Sequence, residues 1–257
     1  MRLILTYILL LVAIGTAWAQ THSDDVAKGI IYNRENTVEL LLHTNGLFGI
    51  GYNKGKIKTY YKTTYYHIDF SEIHHIKEYR QNPDLPQWND GSYSRPYSFG
   101  KQNRFYVLRA GWGKKTYLSE KSKVKGVAIG YNFEVGGSLG LLKPYYLQLI
   151  RFEGREGRPY LSNEKYSDEN ASVFLDQSRI YGASSFAKGL SELKPVPGGH
   201  FRAGIHFDWG AFDQVAKALE VGVLLDVYPI AIPIMVNVPN RPFFANFYLT
   251  LQVGKRK

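Results

Sequence analysis

Phe243-Phe244-Ala245-Asn246-Phe247-Tyr248-Leu249-Thr250-Leu251-Gln252-Val253 is the stretch that decides the fold. In an extended chain Phe243, Ala245, Phe247, Leu249, Leu251 and Val253 share one side, and Phe244, Asn246, Tyr248, Thr250 and Gln252 the other. Strand side chains have a period of two, so one face is apolar and aromatic and the other mixed-polar. The pattern recurs upstream. In residues 219–228, Leu219, Val221, Val223, Leu225 and Val227 oppose Glu220, Gly222, Leu224, Asp226 and Tyr228. In 200–211, Phe201, Ala203, Ile205, Phe207, Trp209 and Ala211 oppose His200, Arg202, Gly204, His206, Asp208 and Gly210. In 127–135, Val127, Ile129, Tyr131, Phe133 and Val135 oppose Ala128, Gly130, Asn132 and Glu134. A soluble β-sandwich alternates too, with its apolar face inward. Charged residues mixed with glycine on the polar faces suit a crowded lumen better, which favours an antiparallel up-and-down transmembrane β-barrel with the apolar faces toward lipid.

The N-terminus agrees with export. Arg2 supplies a positive n-region, residues 3–13 an apolar h-region, and Ala17-Trp18-Ala19 a cleavage site, so the reading is a cleaved signal peptide over 1–19 and a barrel domain over 20–257. The apolar run is too short for a retained anchor. The most apolar later segment, 221–238, is interrupted by Asp226, Pro229 and Pro233, which excludes a helical span. With no cysteine the chain has no disulfide, thiol chemistry or cysteine-linked lipid. High counts of Tyr (20), Phe (14) and Gly (25) suit a barrel with aromatic belts. A net charge of +10 often signals nucleic acid. Export argues against that partner and points to outer-membrane lipid and the phosphates of lipopolysaccharide.

Further strand-like segments lie at 37–43, 47–53, 57–70, 104–112 and 144–150. Thr44-Asn45-Gly46 and Asn53-Lys54-Gly55-Lys56 read as tight turns between the first three. That makes nine segments. An even strand number favours a tenth in 172–182, giving a ten-stranded barrel, with eight strands if the first pair is mis-assigned. The first strand then runs outward. Residues 71–101, 183–199 and 229–242 become external, 212–218 periplasmic, and 151–171 an awkwardly long periplasmic connection. Residues 183–193 have short-helix character, ended by Pro195 and Pro197.

Several motifs resemble a family of uncharacterised outer-membrane β-barrel proteins of Bacteroidota. They are His74-His75-Ile76-Lys77-Glu78, Tyr97-Ser98-Phe99-Gly100-Lys101-Gln102-Asn103, Leu142-Lys143-Pro144-Tyr145-Tyr146-Leu147, Gly189-Leu190-Ser191-Glu192-Leu193-Lys194 with Pro197-Gly198-Gly199, Val221-Gly222-Val223-Leu224-Leu225-Asp226 and Gly254-Lys255-Arg256-Lys257. The resemblance implies fold and location and carries no catalytic residues.

Candidate chemistry is sparse. Arg109, Glu134, Arg202, His206, Asp208, Glu220 and Asp226 form an expected lumen charge network. Buried charges there should pair, and the network reads as a salt-bridge plug or, alternatively, as a narrow path for ions or small solutes. Ser71, His74, His75 and Glu78 offer the residue types of an acyl-transfer site at a barrel rim, as in lipid-A-modifying enzymes, but at loose spacing. Metal binding by these histidines lacks a helical frame, and Gly136-Gly137 and Gly198-Gly199 read as strand-end turns, not phosphate loops. The expected role is a non-enzymatic structural or accessory subunit of a secretion, assembly or uptake complex, with envelope protein partners and no cofactor or metal.

Overall fold

Thirteen strands follow one another along the described chain: β1 (Arg34–His43), β2 (Gly46–Thr59), β3 (Lys62–Ile73), β4 (Arg80–Gln81), β5 (Tyr97–Ser98), β6 (Asn103–Tyr117), β7 (Ala128–Pro144), β8 (Tyr146–Glu153), β9 (Arg158–Lys165), β10 (Ile180–Ala183), β11 (Lys194–Asp208), β12 (Val215–Val227) and β13 (Phe243–Arg256). The computed structural model describes residues 32–257 apart from 60, 84, 89–90, 92, 119–125, 154–156, 212 and 237. The expected signal peptide lies outside the described residues. Strands β1, β2, β3, β6, β7, β11, β12 and β13 close into an antiparallel barrel, each paired with the one before it and β13 with β1.

The pairing register fixes the barrel's shape. Arg34 pairs with Lys56, Lys56 with Thr64, Thr64 with Lys114, Lys114 with Phe133, Phe133 with Ala203, Ala203 with Val223 and Val223 with Phe247. Phe247 O then accepts the Thr44 N–H at 3.0 Å. One circuit thus ends ten residues further along β1, from 34 to 44. A shear of ten over eight strands tilts the strands by roughly 40°. The apolar run on the outer face of β13, 243–253, then spans about 25 Å of height, the thickness of a bilayer-facing band.

Side chains alternate across the wall as the period of two requires. Phe201, Ile205, Phe247 and Val253 face outward and are exposed, whereas Arg202, His206, Tyr248 and Gln252 face inward and are buried. Short turns (61, 209–214) and the 118–127 connection lie at the end carrying the chain termini, called here the near end. The long connections 74–102, 145–193 and 228–242 all lie at the far end.

Eight strands replace the ten favoured from sequence, and the differences have local causes. Lys54 and Lys56 stand on a continuous strand, not in a turn: β2 runs to Thr59, and Asn53 points inward to donate to Glu39 at 3.0 Å. The long connection after β7 leaves the barrel altogether. Its strand β8 pairs with β9 and β10 in a separate three-stranded sheet above the far end. Leu147 and Leu149 are buried there with Tyr97, Tyr145, Phe174 and Ile180. Half-burial in a small sheet gives the same alternation as a barrel wall, which is why 144–150 reads as a barrel strand. The expected tenth strand contains instead a single helical turn, α1 (Ala171–Phe174), and only then β10. Asn170 accepts the Ser167 N–H and Asp176 the Ser178 N–H, both at 3.0 Å, and such local bonds favour turns over a ladder. Within 183–193 the helical character amounts to one 3-10 turn at Leu190–Glu192. Gly136-Gly137 and Gly198-Gly199 lie inside β7 and β11, where Gly137 pairs with Gly199.

Candidate functional site

The lumen is the most polar part of the interior, and it is filled in layers. Nearest the termini, Arg256 donates Nε to Glu35 and Nη2 to Asp208, both at 2.6 Å. Lys115 Nζ reaches Glu35 at 3.2 Å, and Tyr117 OH reaches Asp208 at 2.7 Å. In the middle, Arg202 bridges Glu39 and Glu220, each at 2.9 Å, donates to Thr250 Oγ1 at 2.8 Å and stacks 4.4 Å from the Tyr248 ring centre. His67 lies 2.7 Å from both Glu39 and Glu134, and His200 3.0 Å from Glu134. His206 sits 3.3 Å from Glu220. Above them, Arg109 grips Asp226 through Nε (2.7 Å) and Nη2 (2.9 Å), and donates Nη1 to Asp69 (2.7 Å) and Ser71 Oγ (2.8 Å).

Seven carboxylates (Glu35, Glu39, Asp69, Glu134, Asp208, Glu220 and Asp226) thus meet four fixed cations (Arg109, Lys115, Arg202 and Arg256), and His67, His200 and His206 each contact a carboxylate. Unpaired ions in such a place would be costly, so cross-barrel pairing ties non-adjacent strands together. Inward glycines make room for the large side chains. A Cβ on Gly113 would stand 2.3 Å from Tyr65 Cζ, and one on Gly51 2.7 Å from Glu39 Cγ. The space left between Glu35, Glu39, Tyr65, Lys115, Glu134 and Arg202 is about 10 Å³, the room of a single water.

A dry lid closes the far end. Residues Ile232, Ile234 and Met235, from the connection between β12 and β13, fold into the mouth and pack with Ile73, Phe105, Val107, Leu142, Val196, Tyr228 and Phe244. Phe105 is fully buried, its ring 5.3 Å from Tyr228 and 5.6 Å from Phe244 between centres.

All seven residues expected in the lumen network face the interior and are buried. The residues proposed for acyl transfer are dispersed among other partners. Ser71 Oγ accepts from Arg109 inside the lumen, and His74 Nε2 lies 3.3 Å from Glu72. His75 Nδ1 accepts the Lys77 N–H, and Glu78 takes Lys101 Nζ at 2.5 Å and Ser98 Oγ at 3.0 Å. Among the described residues no group of three or more His, Cys, Asp or Glu is arranged to hold a metal. The sequence reading missed Glu35, Glu39, His67, Asp69, Lys115, His200 and Arg256. Their shared parity along β1, β3, β6, β11 and β13 was the available signal.

Above the lid, the β8–β9–β10 sheet forms an ordered outer layer. Arg151 pairs with Glu164 through Nε (2.8 Å) and Nη2 (2.7 Å), and this hydrogen bonding holds the Glu164 carboxyl below the usual range. Glu192 accepts from Lys165 and, at 2.5 Å, from Tyr146 OH; the Lys165 bond is the main cause of its lowered pKa. An open cavity of about 400 Å³ on this layer is lined by Tyr93, Arg95, Gln148, Asn163, Ser184 and Lys188 among others.

Three solved structures are similar to the chain at a low level. The chain is 7% identical to Ail, the attachment invasion locus protein of Yersinia pestis, solved with the heparin analogue sucrose octasulfate (89% of this chain, 100% of that one, TM-score 0.40). It is 7% identical to the N-terminal β-barrel domain of Pseudomonas aeruginosa OprF (88% and 100%, TM-score 0.36) and 9% identical to Neisserial surface protein A, NspA (87% and 96%, TM-score 0.38). No protein-family model and no curated protein matches the sequence.

Proposed function

We propose that the protein is an integral outer-membrane barrel whose interior is a rigid plug and whose working surface is the outer layer, acting as a non-enzymatic structural or accessory subunit of a cell-envelope complex. The observation that carries this reading is the double closure of the lumen, by cross-barrel ion pairs in the middle and by the Ile232–Ile234–Met235 lid above. Such an interior favours a plug over a path for ions or solutes. The apolar outer band favours lipid on all sides. The segregation of the three long connections to the far end supports reading that end as the extracellular one and the near end as periplasmic. Assignment to the Bacteroidota family rests on the motifs quoted above. The far end then presents a folded sheet with an open surface depression to partners.

The test is a mild-detergent pull-down of the tagged protein from its native outer membrane, beside a variant in which 146–192 are replaced by a short turn. Leu142 and Lys194 already pair, so the barrel keeps its wall. A stoichiometric envelope partner that depends on 146–192 supports the reading. A lone monomer in both preparations refutes it.

A further inference from the structure

The outer apolar band is not uniform around the barrel. On β13 it runs over 243–253. On β2 and β3 it shrinks to Phe48, Ile50 and Tyr52, and to Tyr66, Ile68 and Phe70, about 10 Å of height each at the same tilt. Below these residues, toward the near end, the outward positions are cationic: Arg34 on β1, Lys54, Lys56 and Lys58 on β2, Lys62 on β3 and Lys114 on β6, all exposed. The register packs them together. Lys56 lies directly across from Arg34 on one side and Thr64 on the other, and Thr64 is in turn across from Lys114. Like charges set opposite one another on a sheet face repel. No ion pair relieves them among the described residues, and the only outward carboxylate on these four strands is Glu72 at the far end, which is occupied by His74 and Arg104.

Their level on the wall says what relieves them. With a shear of ten, Lys54 and Lys114 sit within about one residue of the height of Tyr131, Leu219 and Val253, and Lys62 within about one residue of Trp209. Tyr131 and Trp209 are the aromatic residues of an interface belt. The lysines therefore face sideways into the headgroup zone, with stems able to lie along Tyr52, Tyr66 and Trp112 and ammonium groups turned to its polar edge.

We infer that the β1–β2–β3–β6 face binds anionic phospholipid headgroups in the leaflet at the near end, which the preceding reading makes periplasmic. The inference rests on that reading of the barrel as membrane-embedded. Phosphate is the complement the face lacks, and its lateral, headgroup-level position suits a lipid better than an acidic protein docking from below.

Two tryptophans make the test. Trp112 lies across from Tyr66 and two residues from Lys114, whereas Trp209 stands in the turn just after β11, away from the β1–β2–β3–β6 face, with its backbone N–H bonded to Lys217 O. Variants retaining Trp112 alone or Trp209 alone are reconstituted in phosphatidylcholine vesicles with equal fractions of acyl-brominated phosphatidylglycerol or brominated phosphatidylcholine. Trp112 should be quenched more by the phosphatidylglycerol, to an extent matching about fivefold local enrichment, the factor for one lysine at an anionic surface. The excess should vanish in the K54Q/K56Q/K62Q/K114Q variant and in about 1 M salt, and Trp209, which has Lys217 beside it, should show a smaller excess that the quadruple substitution leaves unchanged. Equal quenching of Trp112 by both lipids overturns the proposal, including when the lysine face instead captures an acidic protein, while the embedded barrel stands. Absence of quenching at Trp209 by either lipid overturns the embedding and the proposal together.

Discussion

Replacing Arg109 with Met tests the plug where its bookkeeping is simplest. Asp226 makes both of its hydrogen bonds to Arg109, while Asp69 keeps His67 at 3.7 Å. Methionine fills much of the volume, so the loss is chiefly electrostatic. The lost charge-assisted bonds, at roughly 1.5–3 kcal/mol each, would together suggest a larger cost than the site can show. Leaving one charge of a buried pair without its partner typically costs about 3–5 kcal/mol. R109M should therefore be destabilised by about 3–5 kcal/mol, and R109M/D226N, which removes the stranded charge, should recover most of that loss. The assay is reversible urea unfolding in lipid vesicles, followed by tryptophan emission. A deficit below about 1 kcal/mol, or no recovery in R109M/D226N, would refute the account of Arg109 as the counter-charge of Asp226.

Three other outcomes are expected. F105A empties the centre of the lid and should cost about 3–5 kcal/mol in the same urea assay, while planar bilayers should stay silent because the ion-pair layers below still fill the lumen. G113A pushes a Cβ against the Tyr65 ring and should cost about 1–3 kcal/mol; in G113A/Y65A the two losses should be less than additive, and strict additivity would show that the two side chains do not compete for space. Glu164 and Glu192 have lowered folded-state pKa values, caused first by Arg151 and Lys165 respectively. Their contribution is present above the ordinary carboxylate pKa and is lost as pH falls through the folded values. Protection of the β8 and β9 amides, taken relative to the intrinsic exchange rate at each pH, should therefore fall below about pH 4.5, and unchanged protection there would count against these pairings.

What could be read from the sequence depended on contrast between strand faces. On β11, β12 and β13 the outward residues are almost all apolar, so Arg202, His206, Asp208, Glu220 and Asp226 stand out on the opposite parity. On β1, β2 and β3 the outward face begins with Arg34, Lys54, Lys56, Lys58 and Lys62. Both faces are then polar around Glu35, and although Glu39, His67 and Asp69 alternate with the outward Val38, Leu40, Tyr66, Ile68 and Phe70, that apolar run is short. The same lysines made 53–56 look like a turn. Strand number failed for a different reason: Leu147 and Leu149 are buried in the outer layer with the period of a wall strand. Which charges meet across the lumen depends on shear, a property of the closed cylinder that no single segment encodes.

Closure of the first strand on the last has a kinetic meaning. The Arg256–Glu35 pair joins residues 221 apart in sequence, and Gln252 reaches Glu39 across a separation of 213. The ionic layers are completed by β13, within the last fifteen residues of the chain. Until those residues arrive, Glu35 and Glu39 lie at an open edge with part of their counter-groups missing, and a growing chain has little to gain from forming the cylinder early. Assembly should thus wait for β13 and finish in one cooperative step, so that a chain lacking β13 remains an open sheet.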